Sequence, residues 1–250
     1  MYVPITLTNT VMSHVNNLQS FDKVIRICTG WGGTYNPGQQ NLQVNVMATL
    51  MNIAQQSWEE VKEAQSAYDK ASNERELGFR KIRKLSSSIY GMLRASGANE
   101  LLLDDALNSK RRIWGAPISK PAVVEATKPN EEQPESRPSY GQSYATIAEY
   151  FDRLMKTAAS EPKYSPSETE LTLASLMQMR TDLFGLNKAV TEAEVRLEEA
   201  RIKRNTVYYI APVNLVDTAI AVKTYVRSVF GFQSQQHLQV QKLLFTKPKL

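Results

Sequence analysis

The sequence predicts an all-α protein. It would be an elongated antiparallel bundle of coiled-coil hairpins, built from two copies of one long-helix unit. Three observations predict it: a motif that recurs 130 residues later, an apolar stripe that steps by threes and fours, and a proline-rich segment between the two occurrences.

Phe21-Asp22-Lys23-Val24-Ile25-Arg26 reappears as Phe151-Asp152-Arg153-Leu154-Met155-Lys156, with the chemical type kept at every position. Tyr35-Asn36-Pro37-Gly38 matches Tyr164-Ser165-Pro166-Ser167 at a shift of 129. The same shift carries Val61 to Val190, Glu63 to Glu192, Ala64 to Ala193, Ala71 to Ala200 and Arg75 to Arg204. Any two amphipathic helices share apolar positions. They do not share a Phe-Asp-basic start and a Tyr-x-Pro turn in the same order. The expected organisation is pseudo-twofold, with repeat one in residues 1–115, a linker at 116–142 and repeat two in 143–250.

Residues 10–29 read as a short helix stopped by Gly30, Gly32 and Gly33, with Trp31 as a packing anchor in the turn. The counterpart at 144–160 ends before Pro162. A long helix is expected just after Pro37 and another just after Pro166, because proline is favoured at the first helical position. Each would have about 40 residues and span about 60 Å. In the second, the stripe is Leu176, Met179, Leu183, Leu186, Val190, Ala193, Leu197, Ala200 and, after Arg204, Val207. In the first it is Met47, Leu50, Ala54, Ser57, Val61, Ala64, Tyr68 and Ala71, then Ile82, Leu85, Ile89 and Met92. A sustained period of 3.5 wraps helices left-handedly around a partner.

The middle of the first stripe is small, so it needs a facing helix with larger side chains. Shorter helices at 98–114 and 213–245, folded back, are the expected cover. Arg75 and Arg204 interrupt the stripes at matched positions and are expected to snorkel or pair at the seam edge. The segment 116–142 holds Pro117, Pro121, Pro129, Pro134 and Pro138 among Glu and Ser. Such a composition packs no core and holds no helix, which predicts an extended strap.

The formal net charge is +5, from 30 basic and 25 acidic side chains. Residues 1–115 carry 13 and 10, and residues 143–250 carry 14 and 11, so the excess is spread evenly over the halves. A nucleic-acid binder more often gathers it in a patch or tail, which disfavours nucleic acid as a partner. Cys28 is the only cysteine, so no intrachain disulfide can form. The start, Met1 to Thr6, has no basic and apolar signal pattern, and no apolar run of about 18 residues occurs. The expected location is cytoplasmic by default, or outside the cell by a non-classical route.

His14 and His237 with one cysteine make no metal set, and no H-E-x-x-H, C-x-x-C or P-loop occurs. Gly30 to Gly33 is glycine-rich but follows no strand. Glu59, Glu60 and Glu63, and Glu192, Glu194, Glu198 and Glu199, lack the histidine three residues on that a carboxylate di-metal bundle needs. They read as solvated faces. No catalytic, cofactor-binding or metal residue is expected, nor any cofactor or small-molecule substrate.

Two surfaces carry other expectations. Arg80, Lys81, Arg83, Lys84, Lys110, Arg111 and Arg112 could contact phosphate, with Arg201, Lys203 and Arg204 as a weaker cluster. The ordinary reading is a helix end whose cations complement the macrodipole. The stretch 207–222, with Val207, Tyr208, Tyr209, Ile210, Leu215, Val216 and Ile220, is the most apolar. It reads as a buried corner, an interface or a membrane-inserting head like those of long-helix pore-forming toxins, although Asp217 and Pro212 would be costly in lipid. The favoured function is a non-enzymatic structural or interaction protein that self-associates or scaffolds, with itself as partner. A membrane-acting pore-former and a nucleic-acid or phosphate binder are the alternatives.

Overall fold

The computed structural model describes residues 5–115 and 143–248. The proline-rich segment 116–142 lies outside the described residues. Among the described residues all regular structure is helical: α1 (Ile5–Gly30), α2 (Val44–Phe79), α3 (Ile82–Ala95), α4 (Glu100–Trp114), α5 (Tyr144–Ala159), α6 (Leu173–Asn205), α7 (Leu215–Phe230) and α8 (Gln235–Gln241).

The long helices α2 and α6 have 36 and 33 residues. Neither starts directly after its proline. A single 3₁₀ turn intervenes, Gln40–Leu42 in one case and Thr169–Leu171 in the other. Buried Tyr35 donates its hydroxyl proton to the Leu42 carbonyl at 2.8 Å, and buried Tyr164 donates to the Leu171 carbonyl at 3.0 Å. The Tyr-x-Pro motif therefore pins a loop against the turn that follows it. A buried phenol must find such an acceptor, because leaving it unmade costs about 1–3 kcal/mol.

The expected helix at 213–245 is broken. Its first part ends at Gly231, whose φ of 90° favours glycine. Ser234 then caps α8, accepting from the His237 N–H. Asn99, Ser143 and Asn214 cap α4, α5 and α7 in the same way. Each cap satisfies an orphan N–H and is worth about 1 kcal/mol.

The chain divides into two compact units, one of Met1–Ala67 with Glu194–Leu250 and one of Tyr68–Ala193. Each draws on both sides of the proline-rich segment. In the first unit α1 packs on α7 and α8. Its core joins Phe21, Val24 and Cys28 to Leu215, Val222 and Val226. Trp31 lies 5.4 Å from the Phe230 ring and anchors the turn after α1. In the second unit α5 packs on α3 and α4. Phe151, Leu154 and Ala158 there meet Ile82, Ile89, Leu93 and Ile113.

The stripes are buried as their period requires. Ala54, Ser57 and Val61 of α2 are covered in the first unit, as are Leu197 and Arg204 of α6. Lys203 reaches Glu60 at 2.7 Å, and Arg201 donates to Gln65 at 3.1 Å, so α2 meets α6 there. In the second unit Leu186 of α6 occupies the space where Gly78 of α2 has no side chain. Within the first unit the pairing falls from Lys203 to Arg201 on α6 as it rises from Glu60 to Gln65 on α2, so the contact there is antiparallel. α4, the expected cover for the α2 stripe, packs on α3 and α5.

Candidate functional site

The first unit holds a buried polar cluster. His14 and Asn17 lie three residues apart on one face of α1, and both are buried. Opposite them α6 runs into a π-helical turn, Thr206–Ile210, closed by the Ala211 N–H on the Thr206 carbonyl at 2.9 Å. The wider turn lets the adjacent Tyr208 and Tyr209 both turn inward, at 0% and 2% exposure. Such turns are rare and concentrate at functional sites.

The Thr246 N–H donates to Asn17 Oδ1 at 2.9 Å, and Asn17 Nδ2 returns a bond to the Thr246 carbonyl at 2.8 Å. This sets the amide orientation. The same Nδ2 donates to the Tyr209 oxygen at 3.2 Å, and the Tyr209 hydroxyl is also hydrogen-bonded to His14 Nδ1 at 2.7 Å and to Ser13. Burial, and secondarily the Arg204 charge, lower the His14 pKa to about 4. The imidazole is therefore neutral at pH 7.

His14 Nε2 and the Tyr208 hydroxyl are both buried without a partner. The Tyr208 ring stands edge-on to His14, with centroids 5.7 Å apart, and the Trp58 ring lies 6.1 Å away. Arg204 is 8% exposed and donates to the neutral Asn205 Oδ1, from Nε at 3.2 Å and Nη2 at 2.8 Å. Burial pulls its pKa down. Glu198, which acts on Arg204 through space, is bonded to Arg201 at 2.5 Å. The expectation that Arg204 snorkels or pairs at the seam edge does not hold: its head group is enclosed.

The apolar stretch splits by burial. Tyr208, Tyr209, Leu215 and Val216 are in the core, Val207 is half-buried, and Ile210 and Ile220 are exposed. Among the described residues no helix is long and apolar enough to cross a membrane.

The basic residues expected at phosphate lie in the second unit, apart from the weaker cluster. Arg80 and Lys81 occupy the break between α2 and α3, and Arg83 and Lys84 the first turn of α3. Trp114 Nε1 donates to the Arg83 carbonyl at 3.1 Å, which brings the last turn of α4, with Arg111 and Arg112, beside them. Lys110 lies 5.0 Å over the Tyr90 ring, and Arg112 and Arg153 both approach Tyr150, at 5.7 and 5.2 Å. Dipole complementarity accounts for Arg111 and Arg112 at a helix C-terminus. It does not account for Arg83 and Lys84, which sit at the positive end of α3. Arg80 is paired with Glu76 at 3.3 Å. Lys81 and Lys84 line one wall of a cleft of about 630 Å³, with Glu168 and Glu170 on the other.

The acidic residues meet bases at the surface: Glu59 with Lys62, Glu60 with Lys203, Glu192 with Lys188 and Glu198 with Arg201. Among the described residues no three metal-ligating side chains gather. In the sequence His14 is one of two histidines that make no metal set, and its partner Tyr209 is 195 residues away. The one signal for the cluster was Arg204, a charge in an apolar stripe. Compared with family models, curated proteins and solved structures, the chain has no match.

Proposed function

We propose that this chain is a non-enzymatic interaction protein, formed by duplication of one helical module, that assembles with further copies of itself through its long helices. The observation that carries the reading is a second apolar stripe on α6. Val195 and Ile202 are seven residues apart and exposed at 52% and 64%. With Val190, Ala193, Leu197 and Arg204 at the buried a and d positions, both fall at f, the outermost position of the heptad. That position is ordinarily charged or polar. Two β-branched aliphatics there suit a second helix laid along the same face.

Duplication is supported by matched local chemistry. The Tyr35 and Tyr164 bonds each span seven residues to a carbonyl in a 3₁₀ turn. Helix partners are also exchanged: α1 packs on α7 and α8, whereas α5 packs on α3 and α4. Each repeat is thus completed by return helices of the other, as in a swapped dimer joined into one chain. Coiled-coil packing of α2 on α6 is the arrangement that their stripes favour.

Sedimentation velocity over a hundredfold range of concentration tests the self-association. The native protein is expected to form larger species as concentration rises, and Val195→Glu with Ile202→Glu to remain the smallest species with unchanged helicity. Identical sedimentation of both at every concentration would contradict the reading.

A second reading, binding to phosphate on nucleic acid or lipid, is favoured by the Trp114 bond to Arg83, which gathers two basic clusters. It predicts salt-sensitive retention on DNA or anionic vesicles, lost when Arg80, Lys81, Arg83 and Lys84 are changed to Glu. Equal retention of that variant would exclude it.

A further inference from the structure

We infer that the cleft between the start of α3 and the turn before α6 is a binding site for a small zwitterionic ligand, of the chemical class of short peptides with free termini. The inference is independent of self-association, because neither Val195 nor Ile202 lines the cleft.

The cleft lies wholly within the second unit and has a volume of about 630 Å³. Small-molecule sites occupy about 300–1,000 Å³. Lys81 and Lys84 line one wall, Glu168 and Glu170 the other, and Leu85 and the buried Leu171 add apolar surface. Among the described residues no ion pair joins either lysine to either glutamate. The walls are fixed rather than adaptable. The Tyr164 hydroxyl donates to the Leu171 carbonyl at 3.0 Å, and the Leu171 N–H to the Glu168 carbonyl at 2.9 Å, which holds the turn that carries both glutamates. Lys84 belongs to the first turn of α3, where the Leu85 N–H donates to the Lys81 carbonyl at 2.9 Å.

The two walls select the charge of what enters. A ligand with negative charge alone would meet the glutamates, and one with positive charge alone would meet the lysines. A molecule with a carboxylate at one end and an ammonium at the other satisfies both walls. An aliphatic side chain between those ends then lies against Leu85 and Leu171.

The first unit shows that the fold does not require these charges. At the shift of 129, Glu168-Thr169-Glu170 corresponds to the uncharged Gln39-Gln40-Asn41, yet the tyrosine bond that pins the turn is kept. On the other wall Leu93-Arg94 matches Val226-Arg227, a shift of 133 that turns Lys81 and Lys84 into Asn214 and Asp217. Asn214 caps α7 and bonds to Asp217, which also meets Lys247 at 3.5 Å. Those side chains serve the fold. The four charges facing each other across one cleft belong to the second unit alone.

Isothermal titration of the full chain with the tripeptide alanyl-leucyl-alanine, at low ionic strength, tests the inference. The native protein is expected to give saturable binding. The N-acetylated and the C-amidated forms of the peptide each lack one charge. Both are expected to bind about fivefold more weakly, as exposed charge contacts allow. Lys81→Gln with Lys84→Gln should bind the free and amidated peptides alike, and Glu168→Gln with Glu170→Gln the free and acetylated ones alike. All four side chains are exposed, so helicity should not change. No saturable binding at millimolar peptide, equal binding of all three peptides by the native protein, or native discrimination in the variants would each overturn the proposal.

Discussion

The Tyr209 hydroxyl and His14 Nδ1 share a hydrogen bond across 2.7 Å, although 195 residues separate them in the chain. The bond ties the π-turn to α1 inside the first unit. Tyr209→Phe would take that partner from His14 Nδ1 and leave Asn17 Nδ2 with a single acceptor. The expected loss is about 1–3 kcal/mol of unfolding free energy, the cost of stranding a buried polar group. Urea denaturation followed by circular dichroism measures it, and an unchanged midpoint would show that the bond contributes nothing.

The same histidine makes stability depend on pH. Its folded pKa of about 4 lies below the ordinary 6.5. Between those values the unfolded chain binds a proton that the folded one refuses. Its contribution is therefore fully present above pH 6.5 and is lost as pH falls towards 4. At 1.36 kcal/mol per unit, the loss between pH 7 and pH 5 is about 2 kcal/mol. His14→Gln should lose correspondingly less over the same interval. Parallel curves for the two proteins would rule out the neutral buried imidazole.

Asp152 acts in the opposite sense and in the second unit. Burial raises its pKa, but hydrogen bonds from Lys156 and Arg180 outweigh that and hold the carboxyl below its ordinary 3.8. The ionised form is favoured in the folded state, so its stabilisation is present above pH 3.8 and is lost as pH falls below it. Asp152→Asn should cost about 1–2 kcal/mol at pH 6, a range lowered because both bases are partly exposed. The difference between variant and native protein should close in acid. Chemical denaturation at both pH values measures it.

Gly78 and Leu186 are a test of close helix approach. A Cβ at Gly78 would lie 2.4 Å from Leu186 Cδ1. Alanine is favoured over glycine by about 1 kcal/mol in a helix interior and by less in the last turn, where Gly78 sits, so Gly78→Ala in open space would stabilise modestly. Here overpacking of about 1–3 kcal/mol opposes that gain. The single variant is expected to be neutral or destabilised, and to become stabilising in a Leu186→Ala background. A double-mutant cycle reads the coupling, and additive effects would show that the contact is not made.

The helices were legible because burial imposes a period. Leu176, Leu183, Val190 and Leu197 step by seven on α6, and all four are buried. The Tyr-x-Pro motif marked a real constraint, but its meaning was misread. Proline at a helix start is a local rule, whereas the phenol's bond seven residues on is a closed loop that spacing alone does not reveal. The break at Gly231 was missed because the apolar pattern continues past it, through Leu238 and Val240. Choice of partner was the least legible. One apolar stripe fits many others, so nothing local says that α1 meets α7 and α8. His14, Asn17, Tyr209 and Thr246 become a network only once those helices have met. Arg204 was visible as an anomaly, but its enclosure follows from the π-turn, which rests on a single unusual backbone bond.

α1 packs on α7 and α8 and α5 on α3 and α4, so each half of the chain lends helices to the other. Residues 1–115 and 143–250, produced as separate polypeptides, test it most directly. Each compact unit takes residues from both. An equimolar mixture is expected to form a 1:1 complex with cooperative thermal unfolding, and neither polypeptide alone to be a folded monomer. Either one sedimenting as a stable, cooperatively unfolding monomer would contradict it.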